Sequence, residues 1–423
     1  MIGDNARRSL RIDAGRLLRR LDELAKLGAR DDGGCNRLAF TDADKQGRDL
    51  VTEWMRELGM SVTIDAIGNA VAIREGSEAG PPVMCGSHID TVRTGGRYDG
   101  NLGVLAGLEI VETLNDAGLT TRRPLAVAFF SNEEGARIAP DMMGSLVYVG
   151  GLALDEAHAA VSIDGKTVVD ELDRIGYRGD APVPGTTPHA FVELHIEQGP
   201  VLEAEGLGLG AVTGVQGISW TEVTVQGQAN HAGTTPMSYR HDAGYVAGET
   251  AAFVRRLTKE MGGAQVGTVG AITLDPNLVN VVARKAVFTV DLRNTDESLL
   301  QRAEARLAEH LDAIADAEGV EITTRELARF EPVDFDRRVI ELVEDTAKSL
   351  GNTVRQLPAG AGHDAQMLAR VCPAGMVFTP SVKGISHNPK EHTDPKDIEA
   401  GANVLLQVLL TLSETDEIPV RGA

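Results

Sequence analysis

Cysteine is scarce in this 423-residue sequence: only Cys35, Cys85 and Cys372 are present, and they lie far apart. Three isolated thiols form no CxxC pair and are too few for a disulfide framework or a thiolate zinc site. The sequence therefore indicates a reducing compartment, and we predict a cytoplasmic location.

Basic residues are also in deficit, because 41 Lys and Arg face 62 Asp and Glu, a formal net charge of -21. This charge repels phosphate backbones and anionic lipid, so we expect neither nucleic acid nor a membrane as partner. No stretch approaches the roughly 20 apolar residues that a membrane span needs. Residues 1–18 carry charges throughout and lack the apolar region of a secretory signal.

Aromatic residues are few, at 4%, whereas glycines number 47. This composition indicates many tight turns and suits a site assembled from loops on a rigid scaffold. Hydrophobic residues at 42% and charged residues at 24% are typical of a folded globular protein. At about 150 residues per domain, the length predicts two or three domains.

Continuous apolar runs separated by helical patterns dominate the first half of the chain. Residues 83–88 (VMCGSH) and 125–131 (LAVAFFS) read as buried strands, and residues 102–117 between them read as a helix. Such an alternation predicts an α/β fold with a central, mostly parallel sheet that helices cover on both faces.

The pattern changes near Trp220 to the order strand, helix, strand, strand, helix, strand, which predicts a self-contained α+β unit. After Glu331 the earlier alternation resumes. We therefore predict a discontinuous α/β domain formed by residues 1–217 and 330–423, interrupted by an inserted α+β domain of residues 218–329.

Polar side chains follow the predicted buried strands. His88 and Asp90 end the first strand, and Glu133 and Glu134 follow the second. Ligands of open α/β sheets bind beyond the carboxyl ends of the strands, and an Asp near a metal-binding His can fix its tautomer. The alternative for His88 alone is a hydrogen bond to a neighbouring loop.

Asp99 lies in a glycine-flanked turn before a predicted helix, where a lone Asp could equally be a helix N-cap. Grouping it with Glu133 and Glu134 is costly unless a positive charge neutralises the carboxylates, and a divalent cation would do so. His195 and His387 also end strand-like runs, although each could be an ordinary loop histidine. Imidazoles and carboxylates without thiolates suit Zn, Mn or Co in a hydrolytic site.

Eight ordered motifs resemble one family over nearly the whole chain: GSHIDTV, YDGNLGV, SNEEG, LHIEQGP, NHAGTTPM, DLRN, GAGHDA and ISHNPKE. They resemble the hydantoinase/carbamoylase group of the dinuclear-metal aminoacylase and carboxypeptidase superfamily. The resemblance implies a catalytic domain with two divalent metal ions per subunit. It also implies a smaller domain for lid closure and dimerisation, and hence a homodimer.

The resemblance assigns roles to residues of these motifs. It implies that Asp99 bridges the two ions, with His88 and His195 on one and Glu134 and His387 on the other. Glu133 would then be the general base, and Asp90 would orient His88. Adjacent carboxylates in a loop can point in different directions, which suits this division of roles.

Residues for the substrate are implied in the same way. His231 would polarise the scissile carbonyl, in its own or the partner's site, and Arg293 would bind a substrate carboxylate through two parallel hydrogen bonds. Asn280, Gln198 and Gly362 match other substrate-facing positions. Without the resemblance, His231 would be taken for a loop residue and Arg293 for an exposed ion pair.

The function that follows is a hydrolase of carbon–nitrogen bonds that removes the carbamoyl group from N-carbamoyl-L-amino acids. Allantoate amidohydrolase and β-ureidopropionase are the alternatives, because their small ureido-acid substrates need the same metals and carboxylate site. A non-catalytic binding protein with this fold is a different possibility, although Glu133 and all five predicted ligands are present. His363 and Asp364, which follow Gly362, are expected to be structural.

Overall fold

The structure is a computed structural model, and residues 9–420 are described here. Within them, no helix is both long and apolar enough to cross a membrane. The chain divides into two compact units, one with the residues up to Gly214 and from Asp334 onward, the other spanning Val215–Val333. The predicted boundaries differ from these by three residues at the first junction and four at the second.

The part of the first unit that precedes the insertion alternates strands and helices. Its elements are α1 (Ala14–Ala25), α2 (Asp42–Glu57), β1 (Ser61–Ile64), β2 (Ala70–Arg74), β3 (Val83–His88), α3 (Asn101–Asp116), β4 (Leu125–Phe130), α4 (Met143–Tyr148), α5 (Leu154–Ala159), α6 (Val168–Ile175), β5 (Ala190–Ile196), α7 (Val201–Glu205) and β6 (Leu209–Val215). The Thr41 side chain accepts from the Asp44 N–H and so caps α2. The predicted strands at 83–88 and 125–131 and the helix at 102–117 are confirmed to within one residue.

The inserted unit has the predicted element order. It contains β7 (Gly217–Gln226), α8 (Ala243–Met261), β8 (Val266–Asp275), β9 (Lys285–Asn294), α9 (Glu297–Glu318) and β10 (Glu321–Phe330). Its four strands form an antiparallel sheet in the order β10, β7, β9, β8. Along β9, buried residues alternate with half-buried ones, and the buried side chains join residues of α8 and α9 in one apolar core.

The last part of the chain returns to the first unit. Its elements are β11 (Val333–Asp334), α10 (Arg337–Ser349), β12 (Val354–Ala359), α11 (Asp364–Leu368), β13 (Ala374–Thr379) and α12 (Pro395–Glu414). The strand β13 enters the middle of the large sheet, where Phe378 pairs with His195 of β5.

The large sheet has nine strands in the described residues, in the order β1, β2, β4, β3, β5, β13, β6, β11, with β12 paired to β6. Its central strands β4, β3, β5 and β13 are parallel, whereas β1, β2 and β6 pair in antiparallel fashion. Every residue of the four parallel strands is buried. The predicted α/β fold with a mostly parallel central sheet is thus confirmed, and the carboxyl ends of these strands meet at one edge.

Candidate metal site

Two histidines at the carboxyl ends of neighbouring parallel strands face one carboxylate. His195 Nε2 lies 3.1 Å from Asp99 Oδ1, and His88 Nε2 lies 3.9 Å from the same oxygen. All three residues are buried. One ligand atom from each lies within 4.8 Å of the others, so the group could hold a metal ion.

The other ring nitrogen of each histidine bonds to a backbone carbonyl. His88 Nδ1 lies 3.0 Å from the Asp90 carbonyl oxygen, and His195 Nδ1 lies 2.9 Å from that of Ile196. Each Nδ1 therefore carries a proton and donates it, so Nε2 is the ring nitrogen that would bind a metal ion.

The Asp90 side chain has a different contact from the one that the resemblance implied. Its carboxylate lies 3.9 Å from His88 Nδ1, so the hydrogen bond that orients His88 comes from the Asp90 backbone. The carboxylate instead accepts the N–H groups of Glu133 and Glu134, at 3.3 and 3.4 Å. Asp90 thus joins the end of β3 to the loop that follows β4.

Gly100 makes the close approach between Asp99 and the histidines possible. Its φ is +67°, and a Cβ at this position would lie 2.4 Å from atoms of the His88 ring. Its N–H lies 3.1 Å from His195 Nε2, so the turn packs directly against this ring nitrogen. Only glycine satisfies both the backbone conformation and the space.

A second group forms around the other oxygen of Asp99. His387 Nε2 lies 3.4 Å from Asp99 Oδ2 and 3.2 Å from Glu134 Oε2. These three residues also offer ligand atoms within 4.8 Å of one another. Asp99 therefore belongs to both groups and directs one oxygen to each.

Glu133, adjacent to Glu134, is buried beside the first group. Its Oε2 lies 3.3 Å from His88 Nε2. Burial, followed by the charges of Asp364 and Glu134, raises the pKa of Glu133 well above its usual value. Burial and nearby carboxylates likewise raise the pKa of Asp90 to about 8. The site thus concentrates negative charge away from water.

The histidines respond to the same charge. Hydrogen bonds to Asp99 and Glu134 raise the pKa of His387 to about 11. Burial alone would lower the pKa of His195, but Asp99 raises it to about 9. Protons provide this positive charge here, and a divalent cation would provide it equally well. The donor set of imidazoles and carboxylates therefore fits Zn, Mn or Co.

A third group at this edge is formed by Glu193, His195 and His363, and the sequence motifs did not predict it. The His363 ring lies edge-on to His195, with centroids 4.5 Å apart, and burial holds its pKa well below the usual value. Glu193 accepts from the Ser87 hydroxyl at 2.6 Å and from the Ala365 N–H at 2.8 Å. Glu193 precedes His195 by two residues on a strand, and this spacing placed both side chains on one face.

Two predicted substrate residues lie in the same unit. Gln198 Nε2 donates to Asp99 Oδ2 at 2.9 Å, so this side chain is at the site. Gly362 precedes His363, and a Cβ on it would lie 2.8 Å from Met142 Cε. The Gly362 backbone therefore lies in a tightly packed loop next to His363.

His231 and Asn280 come together within the inserted unit. The Ala232 N–H donates to the Asn280 carbonyl at 2.9 Å, and His231 pairs with Val281 in an isolated bridge. The exposed His231 accepts the N–H groups of Gly233 and Thr234 at Nδ1, at 3.0 and 3.2 Å. Its Nε2 therefore carries the proton and is a hydrogen-bond donor.

Arg293 lies on β9 of the inserted unit beside an acid and an indole. Its Nε and Nη2 donate to Asp291 at 3.1 and 2.9 Å, and its guanidinium carbon lies 5.8 Å from the centroid of the Trp220 ring. These contacts fix the plane of the guanidinium group.

The model of peptidase family M20/M25/M40 matches residues 84–411. The chain belongs to this family. The match covers all the predicted site residues, from His88 to His387. The family is metal-dependent, and the described residues contain clusters that could bind metal.

Members of this family resemble the chain over almost its full length. An N-carbamoyl-L-amino-acid amidohydrolase of Rhizobium meliloti is 42% identical over 96% of this chain and 98% of its own. A ureidoglycolate hydrolase of Arabidopsis thaliana is 33% identical over 97% of this chain and 88% of its own.

A solved structure of a related amidase is also similar to this chain over almost its full length. A hydantoinase/carbamoylase family amidase from Burkholderia multivorans superposes with a TM-score of 0.92, at 44% identity, over 96% of this chain and 99% of its own. The predicted resemblance and enzyme class are therefore confirmed: the chain is an amidohydrolase that acts on carbon–nitrogen bonds.

Proposed function

We propose that this amidohydrolase holds two divalent metal ions and removes the carbamoyl group from N-carbamoyl-L-amino acids, giving the amino acid, carbon dioxide and ammonia. The observation that carries the proposal is the position of Asp99, whose two oxygens face two different groups of ligand type. Relatives named N-carbamoyl-L-amino-acid amidohydrolase, at 42% and 38% identity, support the substrate class.

The two groups define which residues would hold the ions. His88, Asp99 and His195 would hold one, and Asp99, Glu134 and His387 the other. When bound, such ions acidify water and polarise a carbonyl group. The number of ions is part of the proposal, and Zn, Mn and Co all suit these ligands.

Glu133 is the proposed general base. It would accept a proton from the water that attacks the ureido carbonyl, and it would return that proton to the nitrogen that leaves as the carbon–nitrogen bond breaks. Its buried Oε2, 3.3 Å from His88 Nε2, places a proton acceptor directly beside the first group.

The remaining predicted residues would bind the substrate. Arg293 would bind the carboxylate of the substrate, and the Nε2 proton of His231 suits the oxygen on which negative charge develops. Gln198 and Asn280 would contact the ureido group, and Gly362 would offer its backbone.

Ammonia release from a substrate panel tests the proposal. Chelator-treated protein reloaded with Zn, Mn or Co would be assayed with N-carbamoyl-L-amino acids, their D forms, N-carbamoyl-β-alanine, allantoate, ureidoglycolate and a dipeptide. We expect turnover of the L ureido acids, restored by metal. If protein that has bound metal releases no ammonia from any of the ureido compounds, the proposed substrate class is refuted.

Ureidoglycolate is the second candidate, because plant relatives named ureidoglycolate hydrolase are 33% and 34% identical to this chain. Allantoate and N-carbamoyl-β-alanine remain the alternatives from the sequence, since both carry a ureido group and a carboxylate. Exclusive turnover of one of these three compounds would replace the proposed substrate and leave the proposed chemistry unchanged.

We also propose a homodimer formed through the inserted unit. Its edge strand β8 exposes Val266 and Ile272, and the neighbouring helix α8 exposes Tyr245. An apolar edge strand of this kind favours pairing with a second copy.

The cysteines Cys35, Cys85 and Cys372 are free and buried, which supports the proposed cytoplasmic location.

A further inference from the structure

Glu391 is a buried carboxylate that joins two distant segments of the first unit. Its Oε1 accepts the N–H groups of Tyr98 and Asp99, at 3.1 and 3.2 Å. Its Oε2 lies 3.1 Å from the Ser386 hydroxyl. One side chain thus binds the turn before α3 and the loop after β13, which are separated by 292 residues in sequence.

Both segments carry proposed metal ligands. Asp99 lies in the first segment, and His387 directly follows Ser386 in the second. The Ser386 hydroxyl also lies 3.1 Å from Asp99 Oδ2, so it stands between the carboxylates of Glu391 and Asp99 and can donate its one proton to either of them. A Cβ on Gly96 would lie 2.2 Å from Glu391 Oε1, which shows how closely the first segment packs on this carboxylate.

The two proposed ion positions differ in how their histidines are held. His88 and His195 end strands of the parallel sheet, whose ladders fix their spacing. His387 lies on a loop with φ of +52°, and its side chain is 52% exposed. The position of His387 relative to Asp99 therefore depends on contacts between the two segments.

We propose that Glu391 is a positioning residue that holds Asp99 and His387 at the spacing needed by the second ion. Ser386 transmits this constraint to the Asp99 carboxylate. The inference rests on the proposed two-metal site. Removing the Glu391 carboxylate should therefore weaken the Asp99, Glu134 and His387 position far more than the position held by His88 and His195.

Zinc titration against a chromophoric chelator tests this without any assay of turnover. Chelator-treated wild-type protein should bind two Zn ions per chain. Glu391→Ala should bind one of them 10- to 100-fold more weakly, the usual effect of losing a residue that orients metal ligands. Glu391→Gln keeps an oxygen for the Tyr98 and Asp99 N–H groups and should restore affinity to within about threefold.

Asp65 provides the matched control, because this buried carboxylate accepts the N–H groups of Ile67 and Asn69 at 3.0 and 2.9 Å in a turn between β1 and β2. Asp65→Ala should lower the melting temperature without changing either zinc affinity. If Glu391→Ala fails to fold, Ser386→Ala tests the same proposal. We expect this variant to bind one of the two zinc ions at least threefold more weakly than the wild-type protein.

The outcomes separate this inference from the proposed function. Two zinc ions bound with wild-type affinity by Glu391→Ala or by folded Ser386→Ala would overturn the positioning role and leave the two-metal site standing. An equal loss at both positions would also overturn it. Failure of the wild-type protein to bind zinc would overturn both proposals together.

Discussion

Two adjacent glutamates have different surroundings at the scale of single residues. Glu134 Oε2 lies 3.2 Å from His387 Nε2, and its Oε1 accepts the Val92 N–H, whereas Glu133 Oε2 lies 3.3 Å from His88 Nε2. The two carboxylates therefore belong to different parts of the site, which is what separate roles as ligand and base require.

The substitution Glu133→Gln should lower kcat by about 10²- to 10⁴-fold, because it removes the proton acceptor and keeps the side-chain shape. Zinc stoichiometry should stay at the wild-type value, as measured by metal analysis of the purified protein. Glu134→Gln is the matched control and should lose affinity for one ion. Near-normal turnover by Glu133→Gln would contradict the proposed mechanism.

A second prediction concerns the space beside His88. Gly100→Ala introduces a Cβ 2.4 Å from the His88 ring and should strongly reduce zinc binding. Gly118→Ala is the control, because Gly118 also has a positive φ, +58°, but no atom within 4 Å of its added Cβ. It should lose only about 1–2 kcal/mol of unfolding free energy. Equal zinc affinities in the two variants would show that the contact with His88 is unimportant.

At the scale of elements, the loop after β4 is held by a buried arginine. Arg137 bonds to Asp164 and Glu171, at 2.8 and 2.6 Å, and to the Ala39 carbonyl at 2.9 Å. Burial tends to raise the pKa of Glu171, but hydrogen bonds from Arg174 and Arg137 lower it overall. The loop that carries Glu133 and Glu134 is thus tied to helix α6.

Arg137→Met should lower the unfolding free energy by about 3 kcal/mol at pH 7, the usual cost of breaking a buried ion pair. The unfolded state binds a proton at Glu171 more readily, so the stabilisation is present above the ordinary Glu pKa of 4.5 and is lost as pH falls below it. Chemical denaturation at pH 7 and pH 4 measures this, and the difference from wild type should shrink at pH 4.

Arg30→Met is the control for Arg137→Met, because Arg30 pairs with the exposed Asp32 and such exposed pairs contribute little to the unfolding free energy. An Arg137 effect that is equal at both pH values would mean that packing, rather than charge, holds the loop.

Local patterns were sufficient for most elements but not for all. The strand β3 and the helix α9 have long periodic patterns and were predicted from them. Helix α6 was missed although Thr167 caps it and Gly176 ends it, a signal that could have been used. Half of the residues of strand β12 are exposed, and the strand contains Pro358, so its place in the sheet follows from tertiary pairing that no local pattern reveals.

The candidate site divides in the same way. His88, Glu134 and His195 follow predicted strands, so their position at one sheet edge could be inferred from the sequence. The family resemblance, rather than the spacing, supplied the bridging role of Asp99. The role of Glu391 could not be predicted, because two of its partners, Tyr98 and Asp99, lie 293 and 292 residues away in sequence.

At the scale of the whole molecule, the chain has a mass of 44.9 kDa, and analytical ultracentrifugation should give twice that mass for the proposed dimer. Ile272→Lys places a charge on the exposed apolar edge of β8 and should yield monomers at micromolar concentration. Val161→Lys, at an even more exposed apolar residue of the first unit, should leave the dimer intact. A mass of 44.9 kDa for the wild-type protein in this measurement would exclude the dimer.

The insertion between β6 and β11 also sets an order of events on the ribosome. A nascent chain that ends at Val333 contains every strand and helix of the inserted unit, but it lacks β13, the partner of β5. Until β13 emerges, β5 keeps an unpaired edge, although every residue of β5 is buried in the finished sheet. We therefore expect newly made chains to be prone to aggregation in the interval between these two moments.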